Sequence, residues 1–294
     1  PPRSTLFPYT TLFRSFPALG IEPVDLQGAS CCPAWGTAPS FDLNTWCALS
    51  SRNITIAESM GVDVMTGCNS CFGVLSEAKH FLEDADRRKA VNASLANINR
   101  EFKGTSDIYH VAHVLHRKVG TEKIRENLKY SLDGLKIAVQ TGCHTLWPSD
   151  VYKVKEQNPY YPTILRELCE ATGATVPHYS RLESCCGMGG MRSTDVEKSL
   201  RLFKDKLQSI KEETDADLIV TTCSSCFLQF DMSQPILRDR GLIDFNPIPT
   251  FYYTQLLALA MGFEPTQVAA LSQIDRSAII AEIQSEKRLI KEVA

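Results

Sequence analysis

Eleven cysteines punctuate the 294 residues, and most of them fall into pairs. Cys31–Cys32 and Cys185–Cys186 are adjacent, while Cys68/Cys71 and Cys223/Cys226 form Cys-x-x-Cys; Cys143 stands alone before His144. Thiols so spaced can act as redox dithiols, hold zinc or bind iron–sulfur clusters. A lone Cys-x-x-Cys decides nothing, because a turn or half a zinc site would do as well. A zinc ribbon brings its pairs within about 15–20 residues of each other, whereas Cys71 and Cys223 have 151 residues between them. Zinc would also leave the adjacent pairs without a role, since vicinal thiolates point awkwardly for one tetrahedral ion. Several irons sharing soft thiolates meet no such objection.

The pattern occurs twice. Cys32 to Cys186 is 154 positions, and Cys68 to Cys223 and Cys71 to Cys226 are each 155. An offset this constant indicates an internal duplication, with its seam near 129–134. We therefore expect an N-terminal domain over 1–130 and a C-terminal domain over 131–294, a length that suits two compact units. The first fifteen residues, PPRSTLFPYTTLFRS, carry a near-repeat with no period leading into the next segment. They are expected to be an artefact of the sequence, standing where a first strand should be.

Short apolar runs precede the cysteine turns at 62–65, 135–139 and 218–220, with further strand candidates at 21–26 and 175–179. Helical stretches are expected at 72–103 and 195–212, the latter opened by a Thr194/Glu197 capping box. A charged helix is expected at 275–294. Strands alternating with helices predict an α/β fold with mostly parallel sheets and flanking helices. In such sheets ligands gather at the carboxyl ends of the strands, where these cysteines fall.

Other residues carry weaker signals. His144 could hydrogen-bond a cluster sulfur or protonate a thiolate product, or it could merely pack a turn. Arg192 follows the glycine-rich run Gly187-Met188-Gly189-Gly190 and could pair with an anionic substrate group, or be a solvated helix-start arginine; Arg181 and Lys153 are weaker candidates. His110, His113 and His116 would spread around a helix rather than share one face. Cys47 and Cys169 lie outside the repeat and suit buried packing. A net charge of −3 without a basic run argues against nucleic acid. No run is apolar enough for a membrane span, no secretory signal is visible, and the free thiols suit a reducing cytoplasm.

The pattern of an adjacent pair followed after 35 or 36 residues by Cys-x-x-Cys resembles the cysteine-rich CCG domain. The duplicated arrangement, with GASCCPA, SFDLNTW, TGCNSCF, QTGCHTLWPS, SCCGMGG, TTCSSCFLQFD and YTQLLALAMGF, is similar to the B-type subunits of heterodisulfide reductase from residue 16 to about residue 265. The resemblance implies two pseudo-symmetric CCG domains with clusters at the strand ends. Each would hold a non-cubane [4Fe-4S] cluster on five cysteines, and the disulfide CoM-S-S-CoB would be reduced between them to coenzyme M and coenzyme B. By position, one cluster would use Cys143, Cys185, Cys186, Cys223 and Cys226. The other would use Cys31, Cys32, Cys68 and Cys71, with one family ligand absent because its position falls before residue 1. From their own placement beside these cysteines, His144 is the candidate catalytic group and Arg192 the candidate substrate contact. Partners would be a ferredoxin-like C-type subunit with a flavin-containing A-type one, and hydrogenase or formate dehydrogenase beyond them. An alternative is a CCG-type electron-transfer subunit of the thiol:fumarate reductase or hydroxy-acid oxidase kind. The chain has no ferredoxin-type C-x2-C-x2-C-x3-C run of its own, so electrons would come from a separate protein. A zinc-stabilised scaffold is the remaining alternative.

Overall fold

The computed structural model describes residues 13–35 and 38–290. It is a mixed α/β architecture with two short parallel sheets and flanking helices. The first half runs α1 (Leu43–Met60), β1 (Val64–Thr66), α2 (Asn69–Phe81), α3 (Ala85–Ala96) and β2 (Ile108–His110). After a connection come β3 (Ile137–Gln140), α4 (Ile164–Glu170), α5 (Val196–Thr214), β4 (Leu218–Thr221), α6 (Ser224–Asp239), β5 (Thr250–Tyr252), α7 (Tyr253–Ala260) and α8 (Ser277–Ile283). β1 pairs parallel with β2, and β3, β4 and β5 form a parallel sheet in that order.

The repeat read in the cysteines extends to the elements. α1 and α5 both start on an aspartate cap: Asp42 accepts from the Thr45 amide and Asp195 from the Lys198 amide. β1 leads to Cys68 at the start of α2, and β4 leads to Cys223 at the start of α6. β3 has no counterpart in the two-stranded sheet among the described residues. β3 and β4 are buried at every position, as expected of strands covered on both faces.

Two apolar clusters support the sheets. One joins Trp46, Ile54, Phe72, Leu75, Val91 and Tyr152 around α1, α2 and α3. The larger one runs from Phe16 through Val139, Leu168, Phe203, Val220 and Phe230 to Leu257 and Ile283. Phe16 is fully buried, so the fold takes hold of the chain there. The artefact reading of residues 1–15 falls mostly on residues 1–12, outside the described residues.

Several local expectations are corrected. The segments 21–26 and 175–179 are not strands. Each contains a proline, Pro23 or Pro177, which removes a ladder donor. Only Thr175 bridges to the β3 edge, where its amide donates to Leu135 O at 2.9 Å. The helix expected over 72–103 is two helices, because the Asp84 side chain accepts from the Arg87 amide and starts α3 afresh. The cap of α5 is Asp195; Thr194 instead donates back to Gly190 O at 2.8 Å inside the preceding turn. The charged segment 275–294 is α-helical over Ser277–Ile283, followed by a single 3-10 turn at Glu286–Arg288, after which the Ile290 amide reaches Lys129 O at 2.9 Å; residues 291–294 lie outside the described residues. His110 ends β2, His113 closes a helix of three residues, and His116 lies in the π-helical stretch Val114–Val119 that follows it.

Candidate metal centre

Each cysteine group stands where a strand gives way to a turn or helix. Cys68 and Cys223 are both extended and act as the N-cap residues of α2 and α6, so Cys71 and Cys226 lie one turn inside each helix on the same side. The adjacent pairs lie in irregular loops that α1 and α5 hold in place. In the first half Trp46 of α1 donates its indole N–H to Pro33 O at 3.0 Å and Ala34 O at 3.1 Å, just past Cys31–Cys32. In the second, Tyr179 donates to Val139 O at 2.9 Å and ties the approach to Cys185 onto β3.

The sulfurs converge. Cys71 Sγ lies 3.3 Å from Cys32 Sγ, and the sulfurs of Cys31, Cys32 and Cys71 are all within 4.8 Å of one another. Cys186 Sγ lies 3.3 Å from Cys226 Sγ. Cys143, on a turn after β3, donates to Cys185. None of the cysteines is in a disulfide. The two groups also touch. Cys68 accepts from Cys223 and then from Cys71, and these bonds hold its thiol well below the usual range.

Protons in such a cluster are shared. Cys185 accepts from Cys143 and Cys186 and is drawn down to about 2, while Cys143, the donor, is pushed up. Cys186 is raised to about 12 by donating to Cys185 and by burial. Cys71 rises because it donates to Cys32 and Cys68, and Cys32 falls as the acceptor. One thiolate can be solvated by its neighbours' S–H groups, but ionising them all would crowd negative charge into a dry site. Soft, closely packed donors that cannot all ionise alone are the ligand set a polynuclear iron–sulfur group satisfies, because its cations neutralise the thiolates together. Cys47 and Cys169 differ. Burial among apolar side chains raises both, Cys47 to about 11, and neither joins the sulfur groups.

Contacts between the halves fix the groups against one another. Asn69, next to Cys68, donates to Thr141 O at 2.6 Å and Thr145 Oγ1 at 3.0 Å, on either side of Cys143. His110 accepts the Ala112 amide on Nδ1 and so carries its proton on Nε2, which lies 3.1 Å from Thr222 O beside Cys223. Burial drives His110 down to about 4, so it is neutral. His113 is likewise buried and pushed down to about 3, whereas His116 faces Glu167 Oε2 at 2.5 Å. These histidines do not converge on a common point.

His144 follows Cys143 and packs against Trp35 from the loop after Cys31–Cys32, with ring centroids 4.1 Å apart and the rings tilted by 51°. Its Nδ1 is buried without a partner, and burial lowers its pKa. Arg192 is half-buried and donates to Ser233 Oγ of α6 at 3.3 Å, two turns past Cys226. Arg181 is exposed, and Lys153 is tied to Asp107. Sequence reasoning missed Asn69, Gln140, His110 and Lys206. Gln140, at the end of β3, directs Nε2 at Cys226 Sγ at 3.6 Å. Lys206 gave the one available signal, as a cation in the apolar stripe Leu200, Phe203, Leu207 and Ile210 of α5.

Comparison with known proteins identifies the family. The family described as the Cysteine-rich domain, CCG, matches residues 10–76 and 137–231. A protein of Archaeoglobus profundus described as like the B-type subunit of heterodisulfide reductase is 53% identical over 274 residues, covering 93% of this chain and 91% of the relative. The B-type subunit of the ferredoxin/F(420)H(2)-dependent CoB-CoM heterodisulfide reductase of Methanosarcina acetivorans is 40% identical over 276 residues, covering 92% and 90%. A crystal structure of a hypothetical protein from Helicobacter pylori shares the fold with a TM-score of 0.67 at 15% identity, over 92% of this chain, which spans about half (49%) of that structure. With two CCG regions and a B-type relative matched along nearly its whole length, the chain belongs to the heterodisulfide reductase B-type family of duplicated cysteine-rich proteins.

Proposed function

We propose that this chain is the disulfide-reducing subunit of a heterodisulfide reductase, holding two non-cubane [4Fe-4S] clusters. Cys31, Cys32, Cys68 and Cys71 hold the first, and Cys143, Cys185, Cys186, Cys223 and Cys226 the second. The substrate is CoM-S-S-CoB, and electrons arrive from ferredoxin-like C-type and flavin-containing A-type partners in a cytoplasmic complex. The observation that carries this reading is the repeated approach of an adjacent-pair sulfur to a Cys-x-x-Cys sulfur, Cys32 to Cys71 and Cys186 to Cys226, each at 3.3 Å.

When bound, iron–sulfur groups supply electrons singly, and two of them side by side match the two electrons a disulfide needs. The chain's own residues do the rest. The cysteines hold the groups at adjoining strand ends. Asn69 and His110 keep the halves in register across the gap. His144 is neutral, packed against Trp35 and free at Nδ1, so it is arranged to hold or pass a proton as a thiol leaves. Arg192, in the turn after the glycine run, offers a cation to an acidic end of the substrate.

The test is iron, acid-labile sulfide and zinc analysis of anaerobically purified protein, followed by turnover of CoM-S-S-CoB with an artificial one-electron reductant. We expect iron and sulfide in equal amounts, and turnover. Zinc without iron would end the redox reading; iron with no disulfide turnover would leave an electron-transfer role only.

A further inference from the structure

Lys206 of α5 is completely buried, and its ammonium donates to Arg181 O at 2.6 Å, Leu182 O at 2.9 Å and Ser184 O at 2.8 Å. Those bonds use all of its N–H groups on the loop that runs directly into Cys185–Cys186. Among the described residues no carboxylate pairs with it. The ring of Tyr179 lies beneath it at 5.4 Å; burial lowers its pKa to about 8, against the pull of Cys226, Cys186 and Cys185. An unpaired buried ammonium is costly, so a counter-charge is called for. The second ligand set, which begins one residue past the clasped Ser184, is placed to supply it.

The same device occurs at the repeat position. Subtracting 154 from 206, 182 and 184 gives Arg52, Gly28 and Ser30. Arg52 of α1 does donate to Gly28 O at 2.7 Å and Ser30 Oγ at 3.4 Å, on the loop that runs into Cys31–Cys32. The two clasps differ in solvation. Arg52 is half-exposed, so water and salt screen its charge, whereas Lys206 is dry.

We infer that Lys206 is a positioning residue of the second cluster: it clasps the Cys185–Cys186 loop and supplies a buried positive charge that offsets the thiolate ligands there and raises that cluster's reduction potential. A fixed cation favours the more negative, reduced state, and local charge is a principal lever on cluster potential. This rests on the proposed cluster assignment.

The test uses the anaerobically purified full chain and reads iron per chain and the midpoint potential of each cluster by spectroscopically monitored titration. Wild-type protein without iron would overturn the cluster assignment itself and not this inference alone. In loaded protein, Lys206→Gln keeps neutral donors for the loop but removes the charge. It is expected to retain iron and to lower one midpoint by at least tenfold in the reduction equilibrium, about 59 mV for one electron, leaving the other in place. Lys206→Arg, which keeps the charge, is expected to restore it, and Arg52→Gln to leave that cluster's midpoint unmoved. Loss of iron in Lys206→Gln but not in Lys206→Arg would also support the inference. Full loading of Lys206→Gln with both midpoints unmoved would overturn it, as would equal iron loss in the Gln and Arg variants, because then shape and not charge holds the loop.

Discussion

A cysteine's surroundings decide whether it is a ligand or filler. Cys186 is buried, yet it sits 3.3 Å from Cys226 and next to Cys185, so its burial is among other sulfurs. Cys169 is equally buried within α4, but against Leu165, Leu168 and the rest of the apolar cluster, and its thiol stays neutral. Cys186→Ala is therefore expected to lose the iron of one site together with stability, because ligation is coupled to folding. Cys169→Ala is expected to keep its full iron content. Iron and protein assays on the two purified variants decide, and equal loss in both would mean the ligand set is misassigned. The ligand candidates were legible in the sequence because thiols are rare and their offset repeats. Lys206 and His110 were not, because a lysine in an amphipathic helix is ordinarily solvated, and a histidine gains meaning only from what the other half of the chain places beside it.

Among the elements, the strand-to-turn junctions carry the site, and the sequence displayed them well where an apolar run met a cysteine. β1, β3 and β4 lie on the runs expected, since buried parallel strands have no polar face to disguise them. β2 and β5 escaped notice because each is three residues long and flows directly into a helix. The turn after β3 depends on Gly142. Its φ is +83°, and a Cβ there would come within 2.5 Å of Asn69 Nδ2, the group that links the halves around Cys143. A side chain therefore meets both the left-handed penalty, about 1–2 kcal/mol, and the displacement of a buried hydrogen bond, about 1–3 kcal/mol. Gly142→Ala should fold less stably and bind its iron more weakly, whereas Gly134→Ala, with a similar φ of +79° and open space around it, should lose stability alone. Thermal unfolding alongside iron content separates the two. If both variants kept full iron, the Cys143 turn would not be part of the ligand set.

At the scale of the whole molecule, the two halves meet through their chemistry as well as through their cores: Cys68 with Cys223, Asn69 with the Cys143 turn, His110 with Thr222, and Trp35 with His144. This joining was only partly legible. The duplication implied two similar units, but nothing in the spacing said that the Cys-x-x-Cys helix of one half would start against that of the other. The arrangement separates two ways of reducing a disulfide. In a dithiol mechanism a thiolate of a Cys-x-x-Cys pair attacks the substrate, so an alkylating agent must stop it. In a cluster mechanism the same cysteines are occupied as ligands. Cys47 and Cys169, the remaining thiols, are fully buried. Iodoacetamide applied to the iron-loaded protein is thus expected to leave both its iron and its turnover of CoM-S-S-CoB intact. After anaerobic chelation the outcome should reverse. Cys185 is exposed and held as a thiolate by Cys143, so it should alkylate rapidly, and iron and sulfide should then fail to restore activity. Loss of turnover on alkylation while the iron content stays constant would point instead to thiol–disulfide exchange at a Cys-x-x-Cys pair, and would overturn the cluster mechanism.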